Sequence, residues 1–191
     1  MVSSFLPRSS LIRGAILFFE THATSVDNEQ GIASGWHDAE LSTSGCTQAV
    51  ELGGRYARED LAAVLCSDLQ RSYRTAEIAF GERGLPLLRD ARLRECDYGA
   101  WTRRPRDQVD AERVRHITEP FPGGESYTQV AARTRDLLND VLRDWAGRRV
   151  MIVGHRGTWY SLEHVVKGKP LADAVAAPWI WQPGWVYSIA R

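Results

Sequence analysis

The sequence predicts an α/β fold: a three-layer α/β/α sandwich with a mostly parallel central sheet between helices. Two observations carry that expectation. Three short apolar runs, 15–19, 61–65 and 150–153, lack the polar alternation of a half-solvated strand. Strands buried on both faces of a parallel sheet read this way. Between the runs, apolar residues recur at helical spacing, and alternating strands and helices point to helices layered on a parallel sheet. A length of 191 residues fits one domain.

Each element follows in order. Ala15-Ile16-Leu17-Phe18-Phe19 ends at Glu20-Thr21-His22. Arg8 and Arg13 precede it, as in a signal peptide, but five apolar residues are short for such a leader, so a buried strand is expected. Residues 1–13 read as a polar lead-in and 14–191 as one domain. A helix starts near Ser42–Ser44 and is expected to turn Cys46, Ala49, Val50, Gly53 and Tyr56 inward. Leu61–Leu65 forms the second strand. Leu69, Tyr73, Ala76 and Phe80, at i, i+4, i+7 and i+11, give a helix closed by Gly81. The polar stretch 103–124, with Pro105, Pro120 and Pro122, reads as a lid or excursion around one short helix. Ser126 then caps a helix whose stripe is Val130, Thr134, Leu137, Leu138, Val141 and Trp145, stopped by Gly147. Val150–Val153 is the last core strand, and Val186–Ala190 an edge strand.

Composition narrows the function classes. Hydrophobic residues at 43% and charged residues at 25% exclude a disordered chain. Twenty-four basic residues cancel twenty-four acidic ones, so no nucleic-acid or membrane partner is expected. The longest apolar stretch is far short of the ~20 residues that span a bilayer. Cys46, Cys66 and Cys96, odd in number and widely spaced, suggest reduced thiols and a cytoplasmic chain.

The chemistry is expected at the carboxyl ends of the strands, where open α/β sheets bind ligands. Two of the three runs lead into His22 and His155, and the third leads into Ser67-Asp68 and a helix with Arg71 in its first turn. A lone histidine at a strand end is more often a structural residue; two beside an arginine suggest a crevice for a small anion, aided by helix N-terminal amides. Rival chemistries fail on spacing. A cysteine phosphatase loop needs arginine six residues after Cys66, where Ser72 stands. There is no GxSxG elbow, Walker loop or GxGxxG turn. His22, His37 and His155 include no close ligand pair for zinc.

Thr21-His22-Ala23-Thr24 with Asn28, then Gly31, Ser34-Gly35-Trp36-His37-Asp38, Leu41-Ser42, Gly45 and Gln48-Ala49, resemble the opening of the histidine phosphatase (phosphoglycerate mutase-like) superfamily. Ser67-Asp68-Leu69-Gln70-Arg71-Ser72 is similar to its second arginine segment, and Leu93-Arg94-Glu95-Cys96-Asp97-Tyr98-Gly99 to its acid segment. Pro122-Gly123-Gly124-Glu125-Ser126 and Val153-Gly154-His155 complete the series in the family's order. The resemblance implies that His22 attacks phosphorus and becomes phosphohistidine, that Arg71 and His155 hold phosphoryl oxygens, and that Glu95 protonates the leaving oxygen. Asp97 is the alternative acid. The resemblance implies no metal and no organic cofactor.

One departure stands out. The family places arginine immediately before the nucleophilic histidine; here that residue is Thr21, and Thr24 replaces an acidic residue two places after it. Losing one donor to the transition state costs about 2.7–4 kcal/mol, or about 10²–10³ in rate. Arg156, directly after His155, is the candidate replacement. Thr21, Ser25, Asn28, Arg156 and Gly157 are the expected substrate-binding residues. Trp179, Trp181 and Trp185 can line a pocket, though tryptophan there more often packs into a core or edge. The expected function is a phosphomonoester hydrolase, a histidine acid/phosphoglycerate mutase-like phosphatase, acting on a small phosphorylated metabolite, with a homodimer as a possible assembly. A non-catalytic or repurposed member that binds an anion, or a phosphomutase, is the alternative.

Overall fold

The structure, a computed structural model, describes residues 14–190; the lead-in, 1–13, lies outside the described residues. Along the chain run β1 (Ala15–Thr21), α1 (Val26–Glu29), α2 (Thr43–Arg55), β2 (Ala63–Cys66), α3 (Gln70–Phe80), β3 (Leu87–Arg89), α4 (Arg106–Glu112), α5 (Tyr127–Asp144), β4 (Arg149–Gly154), α6 (Arg156–Val165), α7 (Leu171–Ala176) and β5 (Trp185–Ile189). The five strands form one sheet in the order β3-β2-β4-β1-β5. All neighbours are parallel except β5, which pairs antiparallel with β1. The mostly parallel α/β sandwich read from the apolar runs is the observed fold.

The pleat sends alternate side chains of β1 to opposite layers. Ala15, Leu17 and Phe19 pack with Leu137, Leu138 and Val141 of α5 and with Trp185 of β5. Phe18 packs on the other face with Leu52 and Tyr56 of the α2 segment and Phe80 of α3. Each large apolar side chain buried this way stabilises the fold by about 1.5–3 kcal/mol. Ser42 and Ser126 cap α2 and α5, accepting from the amides of Gly45 and Gln129, at the boundaries the sequence indicates.

Some expectations are corrected. On α2 the buried positions are Gly45, Ala49 and Leu52, with Tyr56 one turn beyond, whereas Cys46 and Val50 are exposed. Each follows a buried residue and is therefore rotated by about 100° from it. The second strand begins at Ala63, not Leu61. β3, α6 and α7 were not anticipated. β3 has three residues and no fully buried side chain. Buried residues surround α6 without a polar stripe, and they include Thr158, Ser161 and Glu163.

The 103–124 stretch holds α4 and a 3₁₀ turn at Arg113–His116. Val109 and Phe121 anchor it in a cluster with Tyr98, Tyr127 and Val130. Among the described residues no helix is long and apolar enough to cross a membrane.

Candidate active site

Sheet register brings the two histidines together. Thr21 of β1 stands opposite Gly154 of β4, so His22 and His155 leave adjacent strands side by side, with ring centroids 4.9 Å apart. β2 lies on the other side of β4, and the turn after it delivers Arg71 as the second residue of α3. Ser72 fastens that turn, donating to the Val153 carbonyl at 2.8 Å and accepting from the Ser67 amide at 3.1 Å. Thr75 donates to the Arg71 carbonyl at 2.6 Å and accepts from the Ala23 amide at 3.0 Å. The His22 loop and the Arg71 helix are thereby tied into one unit.

His22 Nδ1 lies 2.7 Å from the Ala23 carbonyl, which can only accept, so Nδ1 carries the proton and Nε2 the lone pair. Arg71 Nε donates to Nε2 at 3.3 Å. Burial, then the charge of Arg71, pull the His22 pKa down to about 3, so the ring is neutral at physiological pH. Arg71 itself is 2% exposed and donates to the carbonyls of His37 (2.9 Å) and Gly35 (2.8 Å). Gly35 adopts φ 50°, a left-handed turn that glycine takes without strain. Its hydrogen also leaves room for Tyr98 and Thr102. His155 is fully buried, and neither ring nitrogen meets a hydrogen-bond partner among the described residues. Burial, then Arg71, hold its pKa well below the usual histidine value.

Glu95 is held at both ends. Its Oε1 accepts from the amides of Cys96 (2.8 Å) and Gly157 (2.9 Å), and a side chain at position 157 would strike that oxygen. Its carbonyl accepts from Trp36 Nε1 (2.8 Å) and Arg133 Nη2 (2.9 Å). Asp97, the other acid of the segment, accepts from the Gly99 amide at 2.9 Å and lies off the cavity lining.

A cavity of ≈530 Å³ opens over these groups. His22, Arg71, Glu95, Thr21, Asn28 and Arg156 line it; His155 is off the lining, with its ring 4.9 Å from that of His22. Ser25 and Gly157 are placed otherwise: Ser25 is buried and caps α1 by accepting from the Asn28 amide, while the Gly157 amide serves Glu95. Arg156 directs both terminal nitrogens to the Asp110 carboxylate on α4, Nη1 at 3.1 Å. Trp179 and Trp181 line the cavity, whereas Trp185 packs in the core.

Sequence reasoning missed Glu20, Ser34, Arg55, Tyr98 and Arg106 as lining residues. Ser34 and Tyr98 were signalled by their places in the Ser34-Gly35 motif and in the acid segment. Glu20, Arg55 and Arg106 reach the cavity only through packing.

Comparison with known proteins agrees with this geometry. The model of the histidine phosphatase superfamily (branch 1) matches residues 17–180. Glucosyl-3-phosphoglycerate phosphatase of Mycobacterium tuberculosis is 31% identical over 190 residues, covering 91% of this chain and 85% of that protein. A 2,3-bisphosphoglycerate-dependent phosphoglycerate mutase of a Methylobacterium species is 32% identical, covering 80% and 81%. Among solved structures, Bacillus stearothermophilus YhfR superposes with a TM-score of 0.80 at 28% identity, covering 90% of each chain. Mycobacterial glucosyl-3-phosphoglycerate phosphatase complexed with VO3 superposes at 0.76 and 29% identity, covering 87% of each. The fold, the paired histidines at neighbouring strand ends and the match over residues 17–180 make this chain a member of the histidine phosphatase superfamily.

Proposed function

We propose that the protein hydrolyses phosphomonoesters of a small metabolite through a phosphohistidine on His22. The observation that carries this reading is the His22 imidazole: neutral, with Nδ1–H fixed on the Ala23 carbonyl and Nε2 left as the nucleophile beside Arg71. Phosphatases among the relatives support the same class of reaction.

In the first step, the Nε2 lone pair attacks phosphorus, forming the N–P bond as the P–O bond to the leaving group breaks. The Arg71 guanidinium faces charge that grows on the phosphoryl oxygens. His155 carries an imidazole N–H with no protein partner among the described residues and offers it to one of those oxygens. Glu95 hands its proton to the leaving oxygen. Because Oε1 already accepts two amides, Oε2 is the oxygen that bears this proton. In the second step, Glu95 takes a proton from water as the water oxygen attacks phosphorus, and inorganic phosphate leaves with Nε2 restored.

Thr21 favours a second reading, an anion-binding member without turnover, since one phosphate-binding cation is absent and Asp110 engages Arg156. Phosphate release from a panel of small phosphomonoesters distinguishes the two. The wild type is expected to release phosphate and His22→Ala to release none. Equal signals from both proteins, from pH 5 to 8, would decide for binding alone. Phosphoryl transfer to a second metabolite in place of water would identify a mutase.

A further inference from the structure

The cavity is larger than a phosphoryl group requires: ≈530 Å³ lies in the range that encloses a whole small molecule. One wall takes no part in the chemistry above. It consists of Glu51 and Arg55 on one face of α2, Glu20 of β1, and Trp179 and Trp181 from the segment before β5.

The wall is built, and built unusually. Glu20 is 1% exposed and follows five apolar residues of β1, and Arg55 Nη2 donates to its Oε1 at 2.9 Å. A buried carboxylate is costly to keep without a function or a partner. The Arg55 side chain remains about one-third exposed and gives only one hydrogen bond to Glu20, which leaves other guanidinium donors for a ligand. Trp179 is braced by Trp159 and Trp185, at ring-centroid separations of 5.3 and 5.6 Å. Trp181 is 58% exposed at the cavity, an indole that the core does not use.

The mixed charges and the indoles together point to the ligand class. A wholly anionic leaving group would face Glu20 and Glu51, a wholly cationic one would face Arg55, and a small zwitterion would leave the two indoles uncovered. A neutral ring bearing hydroxyls satisfies both kinds of partner, donating to carboxylates and accepting from the guanidinium, while its C–H face rests on an indole. Arg106 belongs to a different rim, at the start of α4, and donates to the Asn28 carbonyl at 2.7 Å. We infer that the α2–tryptophan wall is the leaving-group subsite and that the substrate is the monophosphate of a neutral, polyhydroxylated ring. This rests on the phosphatase reading and deepens it.

Two measurements on the full chain test it. Calorimetric titrations of glucose 6-phosphate, 3-phosphoglycerate and phosphocholine read the wall. Labelling of His22 by phosphoramidate, whose leaving group is only ammonia, reads the phosphohistidine chemistry. Glucose 6-phosphate is expected to bind at least about tenfold more tightly than the other two, roughly 1.4 kcal/mol. Trp181→Ala, at an exposed position, should lose about that tenfold for glucose 6-phosphate. Glu51→Gln should narrow the discrimination against 3-phosphoglycerate. Comparable binding of 3-phosphoglycerate or phosphocholine, or no effect of Trp181→Ala, overturns the inference while labelling keeps the phosphatase reading intact. Absent labelling with the binding preference preserved sinks phosphohistidine chemistry and leaves the subsite standing.

Discussion

At position 21, threonine ends β1 on the cavity wall, immediately before the proposed nucleophile, His22. The sequence offers Arg156 as the replacement for the missing arginine, and the structure places Arg156 on the lining but gives its fork to Asp110. A guanidinium already neutralised by a carboxylate has less to offer an incoming phosphate. Turnover should therefore fall about 10²–10³-fold in Arg71→Ala. Arg156→Ala should lose only roughly tenfold, because Asp110 screens the charge it removes. Steady-state kcat values for the two variants check this; equal losses would mean that Arg156 does the work of the absent arginine.

One more residue emerges at the scale of elements. Arg133, on α5, donates to the carbonyls of Arg92 and Arg94 (2.7 Å each) and Glu95 (2.9 Å) while paired with Glu125 at 2.9 Å. A helix thereby grips the irregular segment that carries Glu95, the proposed acid. Catalytic groups tolerate little displacement, so Arg133→Lys, which keeps the charge but not the planar fork, should lower kcat about tenfold with KM nearly unchanged. A loss confined to thermal stability, with kcat intact, would make Arg133 merely structural. None of this was visible in the sequence, where Arg133 is one charged residue on the outer side of an apolar stripe. The stripes themselves were legible, because 3.6-residue periodicity survives wherever one face of a helix meets solvent. α6 has no exposed residue, so no solvent-facing side marks it out in the sequence.

For the whole molecule, the two site histidines set a pH dependence of stability. Both have folded-state pKa values below the ordinary 6.5, that of His22 at about 3. As pH falls through 6.5, the unfolded chain takes up protons at these positions and the folded chain does not. Their contribution is full above about 6.5 and is lost progressively toward pH 3. Buried Glu20 works in the opposite sense, since burial raises its pKa, but it is one group against two. The melting temperature should drop between pH 7 and pH 4.5, a window above the titration of the carboxylates held low by arginine, such as Asp68 and Asp90. His155→Phe should flatten that slope; a flat wild-type profile would refute the account.

The sequence alone determined the buried parallel strands, the capped helices and the family motifs with His22, Arg71, Glu95 and His155 in order, because these depend on local periodicity and residue chemistry. Only the tertiary structure decided how they are used. Register between β1 and β4 set the histidines side by side. Packing turned Arg156 to Asp110, gave the Gly157 amide to Glu95, and brought Glu20, Arg55 and two tryptophans from distant segments onto one cavity wall. Such partnerships join residues tens to more than a hundred positions apart, where no spacing rule along the chain reaches.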